Sequence, residues 1–384
     1  MAKKRVLLLS EGFGAGHTQA AYALSSSLRK LAPNVQTRVL ELGSFLNPRV
    51  APLIITAYKK TIIKQPKLVG LMYRHQYKKS LNRLTTLALH RLFYTHTKSI
   101  VRQLRPDLIV CTHPIPSAVI SRLKRLGIEV PLCTVITDYD AHGTWISPEV
   151  DQYLVSTSEV KYKLVQRGIS TSKIQVTGIP VHPNFLEHPG KAEIRQKFGL
   201  KDMPTVLVMG GGWGMMNDEA IHSALARWGS SIQIIFCFGS NEKVLRKAER
   251  NPLFHHENIH LIGFTKEIDK LMEVSDLLIT KPGGMTCTEG LAKGIPMLFH
   301  KPLPGQEEEN CQYFTARGLG EPIQSNEVVD RWMNRLLYHY DEVTEKRQEH
   351  QRNVARFYPM QSAQKVLEML DHGSEPPSSV TDYS

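Results

Sequence analysis

The sequence predicts an α/β protein: two doubly wound parallel sheets, each covered by helices, facing one another across a central cleft. Three observations carry this expectation. Short apolar runs alternate with helical stretches along the chain, the pattern of strands buried on both faces. Glycine- or proline-rich turns follow most of those runs, where open α/β sheets place their ligands. The 384 residues, enough for about two domains, are divided by the Pro-rich stretch GIPVHPNFLEHPG at Gly178–Gly190.

In chain order, Val6–Ser10 is a first strand, a Gly-rich turn follows, and Thr18–Leu31 is helical. The basic start MAKKR imitates a signal peptide, but its apolar run stops too soon, at Ser10-Glu11. Val35–Leu40 is a second strand. Leu108–Thr112 and Leu132–Thr137 are buried-strand runs with the helical Ser117–Leu126 between them, and Gln152–Ser156 and Ile174–Thr177 complete the first half. In the second half Thr205–Met209 enters GGGWG, Ile232–Phe238 ends at Gly239-Ser240, and His260–Ile262 is short. Leu277–Thr280 runs into PGG, and Pro296–Phe299 follows the helix Met285–Lys293. The expected domains are residues 1–185 and 190–355, with a helix at 361–370 folding back over the join and a polar tail, 371–384, read as disordered.

A composition of 41% hydrophobic and 22% charged residues excludes a disordered or fibrous chain. No window reaches about 18 uninterrupted apolar residues, so any membrane contact is expected to be peripheral. Five widely spaced cysteines with no CxxC pair argue against a disulfide framework or zinc knuckle and for a reducing, cytoplasmic setting. The net charge of +12 is concentrated. Between Phe45 and Arg105 there is no Asp or Glu, while thirteen Lys and Arg stand among large apolar residues such as Leu53, Tyr58, Ile62, Leu68, Tyr73 and Phe93. A basic amphipathic region of this kind suits an anionic membrane surface, at about 1 kcal/mol per Lys or Arg. The alternatives are a solvated helix face and a nucleic-acid groove; no nucleic-acid motif accompanies the region, so no nucleic-acid partner is expected.

The residues with chemistry stand at the turns. In SEGFGAGH, Ser10–His17, the glycines let the backbone approach a ligand and the next helix offers unpaired N–H groups. The spacing is GxGxG, an imperfect dinucleotide fingerprint, although Glu41 at the end of the second strand imitates a ribose-binding acid and keeps a nicotinamide enzyme open. His17, at the mouth of the cleft, is either a general base or a structural histidine. In KPGGMTCTEG, Gly283-Gly284 is a turn, Thr286 or Thr288 is a candidate cap, and the helix N-terminus suits a diphosphate. Glu289 is near enough to take ribose hydroxyls; the plainer reading is a Pro-Gly turn with an exposed Glu. KPLPGQEEEN, with Gln306 and Glu307, suits sugar hydroxyls or a solvated helix start. With GGGWG and FGS added, the turns together indicate a nucleotide-diphosphate cleft. Asp138-Tyr139-Asp140 imitates a metal-binding D-x-D but lies in the first half, read as away from the diphosphate turns. ITDYDAHGTW is therefore assigned to the acceptor side, with His142 and Trp145 as wall. There is no HExxH and no P-loop, and no metal site is expected.

SEGFGAGH, TDYDAHGTW, VTGIP at Val176–Pro180, ITKPGGMTCTEGLAKGIP and KPLPGQEEEN together resemble the diacylglycerol glucosyltransferases and monogalactosyldiacylglycerol synthases, from about residue 5 to 370. These belong with the MurG-like GT-B glycosyltransferases of family 28. The resemblance implies two Rossmann-like domains, a UDP-sugar (UDP-glucose or UDP-galactose) held mainly by the second, and a lipid acceptor, diacylglycerol or a glycosyldiacylglycerol, held by the first. It further implies inversion at the anomeric carbon and no metal or other cofactor; the basic block, residues 45–105, adds the expectation of a place on anionic lipid at the inner face of the cell membrane. The resemblance makes His17 the base or an acceptor-site residue; Asp138 is the reserve candidate for the base, and the reading of the turns gives Gly14, Gly16, His142 and Trp145 to the acceptor. Gly211, Gly212, Trp213, Gly214 and Ser240 would line the diphosphate with Gly283, Gly284 and Thr286, and Phe264 and Thr265 the uracil. Glu289 would hold the ribose, and Gln306 and Glu307 the donor sugar. Two other classes stay open: a UDP-sugar 2-epimerase of the same architecture, which needs no acceptor, and a non-enzymatic membrane-binding module.

Overall fold

A computed structural model describes residues 3–65, 94–214, 218–354 and 360–372. Their strands form two six-stranded sheets in which every pairing is parallel. The first contains β1 (Arg5–Ser10), β2 (Gln36–Glu41), β3 (Leu108–Cys111), β4 (Leu132–Val135), β5 (Gln152–Val155) and β6 (Ile174–Val176), ordered β2-β1-β3-β4-β5-β6. The second contains β7 (Thr205–Met209), β8 (Gln233–Cys237), β9 (Ile259–Ile262), β10 (Leu277–Thr280), β11 (Met297–Phe299) and β12 (Gly320–Pro322), ordered β12-β11-β10-β7-β8-β9. Strand order reverses beside β1 in one sheet and between β7 and β10 in the other. Those switch points open a crevice at the carboxyl ends of the strands, and each carries a glycine-rich turn: SEGFGAGH after β1, GGGWG after β7 and PGG after β10.

The central strands β3, β4, β7, β8 and β10 are buried at every position, which is why they read as continuous apolar runs rather than alternating ones. The edge strand β12 is half-buried throughout and its sequence, GEP, has no apolar residue, so it carries no strand signal. One face of the first sheet buries Val6 and Leu8 against Ala21, Leu24 and Leu28 of the helix Ala15–Leu31, together with Ala363, Val366 and Leu370 of the helix Gln361–His372. Each such aliphatic side chain contributes roughly 1.5–3 kcal/mol. Polar contacts pin the same helix: Lys4 Nζ donates to Leu370 O at 2.8 Å and Ser362 Oγ to Thr177 Oγ1 at 2.9 Å.

The segment joining the sheets is held on the second unit. Lys293, fully buried, pairs with Glu273 at 2.8 Å and donates to the carbonyls of Asn184 and Glu187. The five cysteines are buried and form no disulfide. Among the described residues no helix is long and apolar enough to cross a membrane. Of the basic region, the helix Ala51–Lys64 is described, whereas Leu68, Tyr73, Phe93 and the charges from Lys67 to Arg91 lie outside the described residues, as does the expected tail beyond His372.

Candidate active site

The strand ends of both sheets enclose a cavity of about 1120 Å³. From the first unit it is lined by Gly14, Gly16, His17, Thr137 and Asp138, and on its apolar side by Phe13, Tyr58 and Ile62. From the second come Gly211, Gly212, Trp213, Ser240, Phe264, Thr265, Gly283, Gly284, Thr286, Glu289, Gln306 and Glu307.

His17 stands in the first turn of the helix Ala15–Leu31, directly after the turn in which Gly14 adopts φ 127°. Its Nδ1 lies 2.7 Å from Thr137 Oγ1, and the main chain of Thr112 is a second partner. Behind it the His113 ring packs edge-on at 4.7 Å and Trp145 at 6.0 Å. This burial lowers the His17 pKa to about 4, so the imidazole is neutral at physiological pH. His113 is itself fixed as the N-cap of the helix Pro114–Arg125, its Nδ1 accepting from the Ile115 N–H at 3.2 Å.

Asp138 is buried, and loss of solvent pushes its pKa up to about 7 against the hydrogen bonds from Gln306 and Asn310. Asn310 ties the two units together. Its Nδ2 lies 3.4 Å from Asp138 Oδ1 and 3.1 Å from Pro282 O, while its Oδ1 accepts from the Tyr139 N–H at 2.9 Å. Gly284 abuts the Thr137 carbonyl so closely that a Cβ would overlap it. The expectation that the D-Y-D stretch lies away from the diphosphate turns is thereby corrected: both sheets direct their carboxyl ends into one crevice, so the end of β4 meets the turn after β10. Asp140 pairs with Lys163 instead, so the two aspartates do not converge as a D-x-D site would require. Among the described residues no group of three His, Cys, Asp or Glu is placed to hold a metal.

On the opposite wall the helix Gly284–Ala292 begins at Gly283 without a side-chain cap. Neither threonine caps it, contrary to expectation; Thr288 donates back to Gly284 O at 2.6 Å and Thr286 lines the cavity. The helix start therefore keeps unpaired N–H groups for an anion. Ser240 Oγ donates to Gly212 O at 3.0 Å and holds the GGGWG turn, whose Trp213 ring lies 5.2 Å from Lys59 Nζ of the helix Ala51–Lys64. Phe264 is 64% exposed at the rim, free to stack on a base. Glu289 has its pKa raised to about 8 by burial and by Asp269. Glu307 accepts from the Leu303 N–H at 2.7 Å.

Three site assignments need correction, and the ribose alternative at Glu41 falls with them. Trp145 is 0% exposed and backs His17 without reaching the cavity. His142 lies off the cavity lining, bonded to Thr144. Gly214 packs under Phe238, where φ 58° and the lack of a Cβ let two turns meet. Glu41 accepts from Thr18 Oγ1 at 2.8 Å and anchors the first turn rather than a ribose. Thr137, Asn310 and Asp269 went unassigned. Asn310 carried a signal: it follows Gln306 by four residues, one helical turn, so both share a face of the helix Gln306–Ala316.

Solved structures of the same fold include Acinetobacter baumannii MurG, with TM-score 0.60 and 16% identity over 96% of this chain and 99% of that one. Anabaena HepE in complex with UDP-glucose aligns with TM-score 0.60 and 14% identity over 96% and 99%. Residues 17–181 match the monogalactosyldiacylglycerol (MGDG) synthase model and residues 205–367 the glycosyltransferase family 28 C-terminal domain. The processive diacylglycerol beta-glucosyltransferase of Staphylococcus aureus (strain MRSA252) is 30% identical over 382 residues, covering 97% of this chain and 95% of the relative. The chain belongs to the diacylglycerol glucosyltransferase family. As a member it is a glycosyltransferase, and its fold is GT-B.

Proposed function

We propose that this family member transfers a hexose from UDP-glucose or UDP-galactose to the hydroxyl of diacylglycerol, or of a glycosyldiacylglycerol, at the cytoplasmic face of the cell membrane. The observation that carries the reading is one cavity with a neutral imidazole on one wall and an uncapped helix N-terminus with glycine turns on the other. The Staphylococcus aureus relative supports the acceptor class, and the UDP-glucose complex of Anabaena HepE is consistent with the donor.

In this mechanism the acceptor oxygen attacks the anomeric carbon from the face opposite UDP, giving inversion. His17 takes the hydroxyl proton, with Asp138 in reserve, while the bond to the diphosphate breaks and its electrons pass to UDP. The N–H groups at Gly284–Thr286 and the Gly211-Gly212 turn stabilise the departing charge without a metal or other cofactor. Gln306 and Glu307 hold the donor sugar, and Phe264 and Thr265 the uracil. Phe13, Tyr58 and Ile62 give an acyl chain an apolar wall beside His17. The helix Ala51–Lys64, with Leu53 70% exposed, meets the anionic membrane.

The test is UDP release from each UDP-sugar with liposomes, anionic or neutral, that contain or lack diacylglycerol. Release that depends on diacylglycerol supports the reading. Release that ignores the acceptor and frees the sugar sinks it and indicates epimerase- or hydrolase-like chemistry. Binding to anionic liposomes should weaken sharply with added salt; salt-insensitive binding removes the role given to the basic helix.

A further inference from the structure

We propose that Asp269 is a second carboxylate of the donor site, paired with Glu289 so that the two grip the vicinal hydroxyls of the nucleotide ribose. The proposal rests on the UDP-sugar reading above. Asp269 is 8% exposed and lines the cavity, yet among the described residues the protein gives its carboxylate neither a hydrogen bond nor an ion pair. Other buried acids of this protein are supplied. Glu11 receives Tyr94 and the Gly43 N–H, Glu273 receives Lys293, and Asp276 receives Tyr340 and the Thr205 N–H. A buried carboxylate left without donors costs folding free energy, so one that faces a cavity is a site whose donors arrive with a ligand.

Glu289 lines the same cavity, also without a side-chain partner, and is close enough for Asp269 to raise its pKa. Burial favours the protonated form of Glu289, which can donate to one hydroxyl, while Asp269 offers acceptor oxygens to its neighbour. Other titratable groups about the pair are His182, whose pKa burial lowers, Lys266 on the cavity lining, and Lys270, which is bound to Glu267. Among the described residues none of these forms an ion pair with either carboxyl, and a neutral diol fits the pair. The placement agrees: Glu289 lies five residues, about 7.5 Å, along the helix axis from the anion-binding start at Gly284, and Asp269 follows the rim residues Phe264 and Thr265.

The experiment is calorimetric titration of UDP, 2′-deoxy-UDP and 3′-deoxy-UDP into the full chain, Asp269→Asn and Asp269→Ser, with thermal melting as a folding control. The parent should prefer UDP to both deoxy nucleotides by roughly tenfold or more. Both variants should bind UDP roughly tenfold more weakly and lose the preference against one deoxy nucleotide while keeping the other. If either folded variant retains the parent's affinity and both preferences, the Asp269 assignment is overturned. If the parent itself does not bind UDP, the donor reading fails, and the assignment with it.

Discussion

His17 and Asp138 face one cavity with pKa values displaced in opposite directions, to about 4 and about 7, and the pH dependence of transfer tells them apart. A base loses activity as pH falls through its pKa, so with His17 in that role kcat/KM should hold until about pH 4 and His17→Ala should lower it by roughly a hundredfold. An acid limb near pH 7 that vanishes in Asp138→Asn would assign the base to Asp138. Glu11 gives a stability counterpart. Burial raises its pKa from 4.5 to about 7, so the native state binds the extra proton between those values. Its contribution is therefore intact below about pH 4.5 and is lost as pH rises through 7. Glu11→Gln keeps an oxygen for the Tyr94 and Gly43 bonds; in chemical unfolding it should exceed the parent by up to about 3 kcal/mol at pH 8 and match it near pH 4.5. His17 was legible because it stands in a glycine-rich turn after a strand. Thr137 and Asp269 were not, since threonine and aspartate are common at turns and only their burial singles them out.

At the scale of elements, the contact that joins the walls is the start of the helix Gly284–Ala292 against the end of β4. Gly284→Ala would force the helix from the Thr137 carbonyl and wedge the crevice open. Transfer should fall by about tenfold or more, and small-angle scattering should show a larger radius of gyration; an unchanged kcat and radius would mean the contact is dispensable. The buried central strands were legible from apolar runs alone, and β12 was not, because an edge strand needs no apolar residue. The helix Pro114–Arg125 begins three residues before the expected Ser117. Proline is well suited to a first helical turn, and His113 caps it in place of the usual Ser, Thr, Asp or Asn. The helix Ala51–Lys64 was read through its charge and apolar content, which describe a surface better than an element.

At the scale of the molecule, the alternation of runs and turns was enough to predict two units and a cleft. Which turn touches which across the cleft was not legible, because Asn310 with Tyr139, or Gly284 with Thr137, is a long-range contact that no local pattern encodes. The same holds for the depth to which Trp145 is buried. The helix Gln361–His372 offers a test of how the units depend on each other. Val366 is 0% exposed in the core with Leu8 and Leu24, so Val366→Asp should destabilise the first unit by about 3 kcal/mol or more. In calorimetry its transition should move well below that of the second unit; an unshifted profile would show that the helix is not part of that core. The arrangement also sets an order of assembly. During synthesis the helix Gln361–His372 leaves the ribosome only after every strand of the second sheet, so the core that Val6, Leu8, Leu24 and Leu28 begin lacks Ala363, Val366 and Leu370 until the chain is almost finished. The half of the enzyme that is translated first is thus the half whose core is completed last.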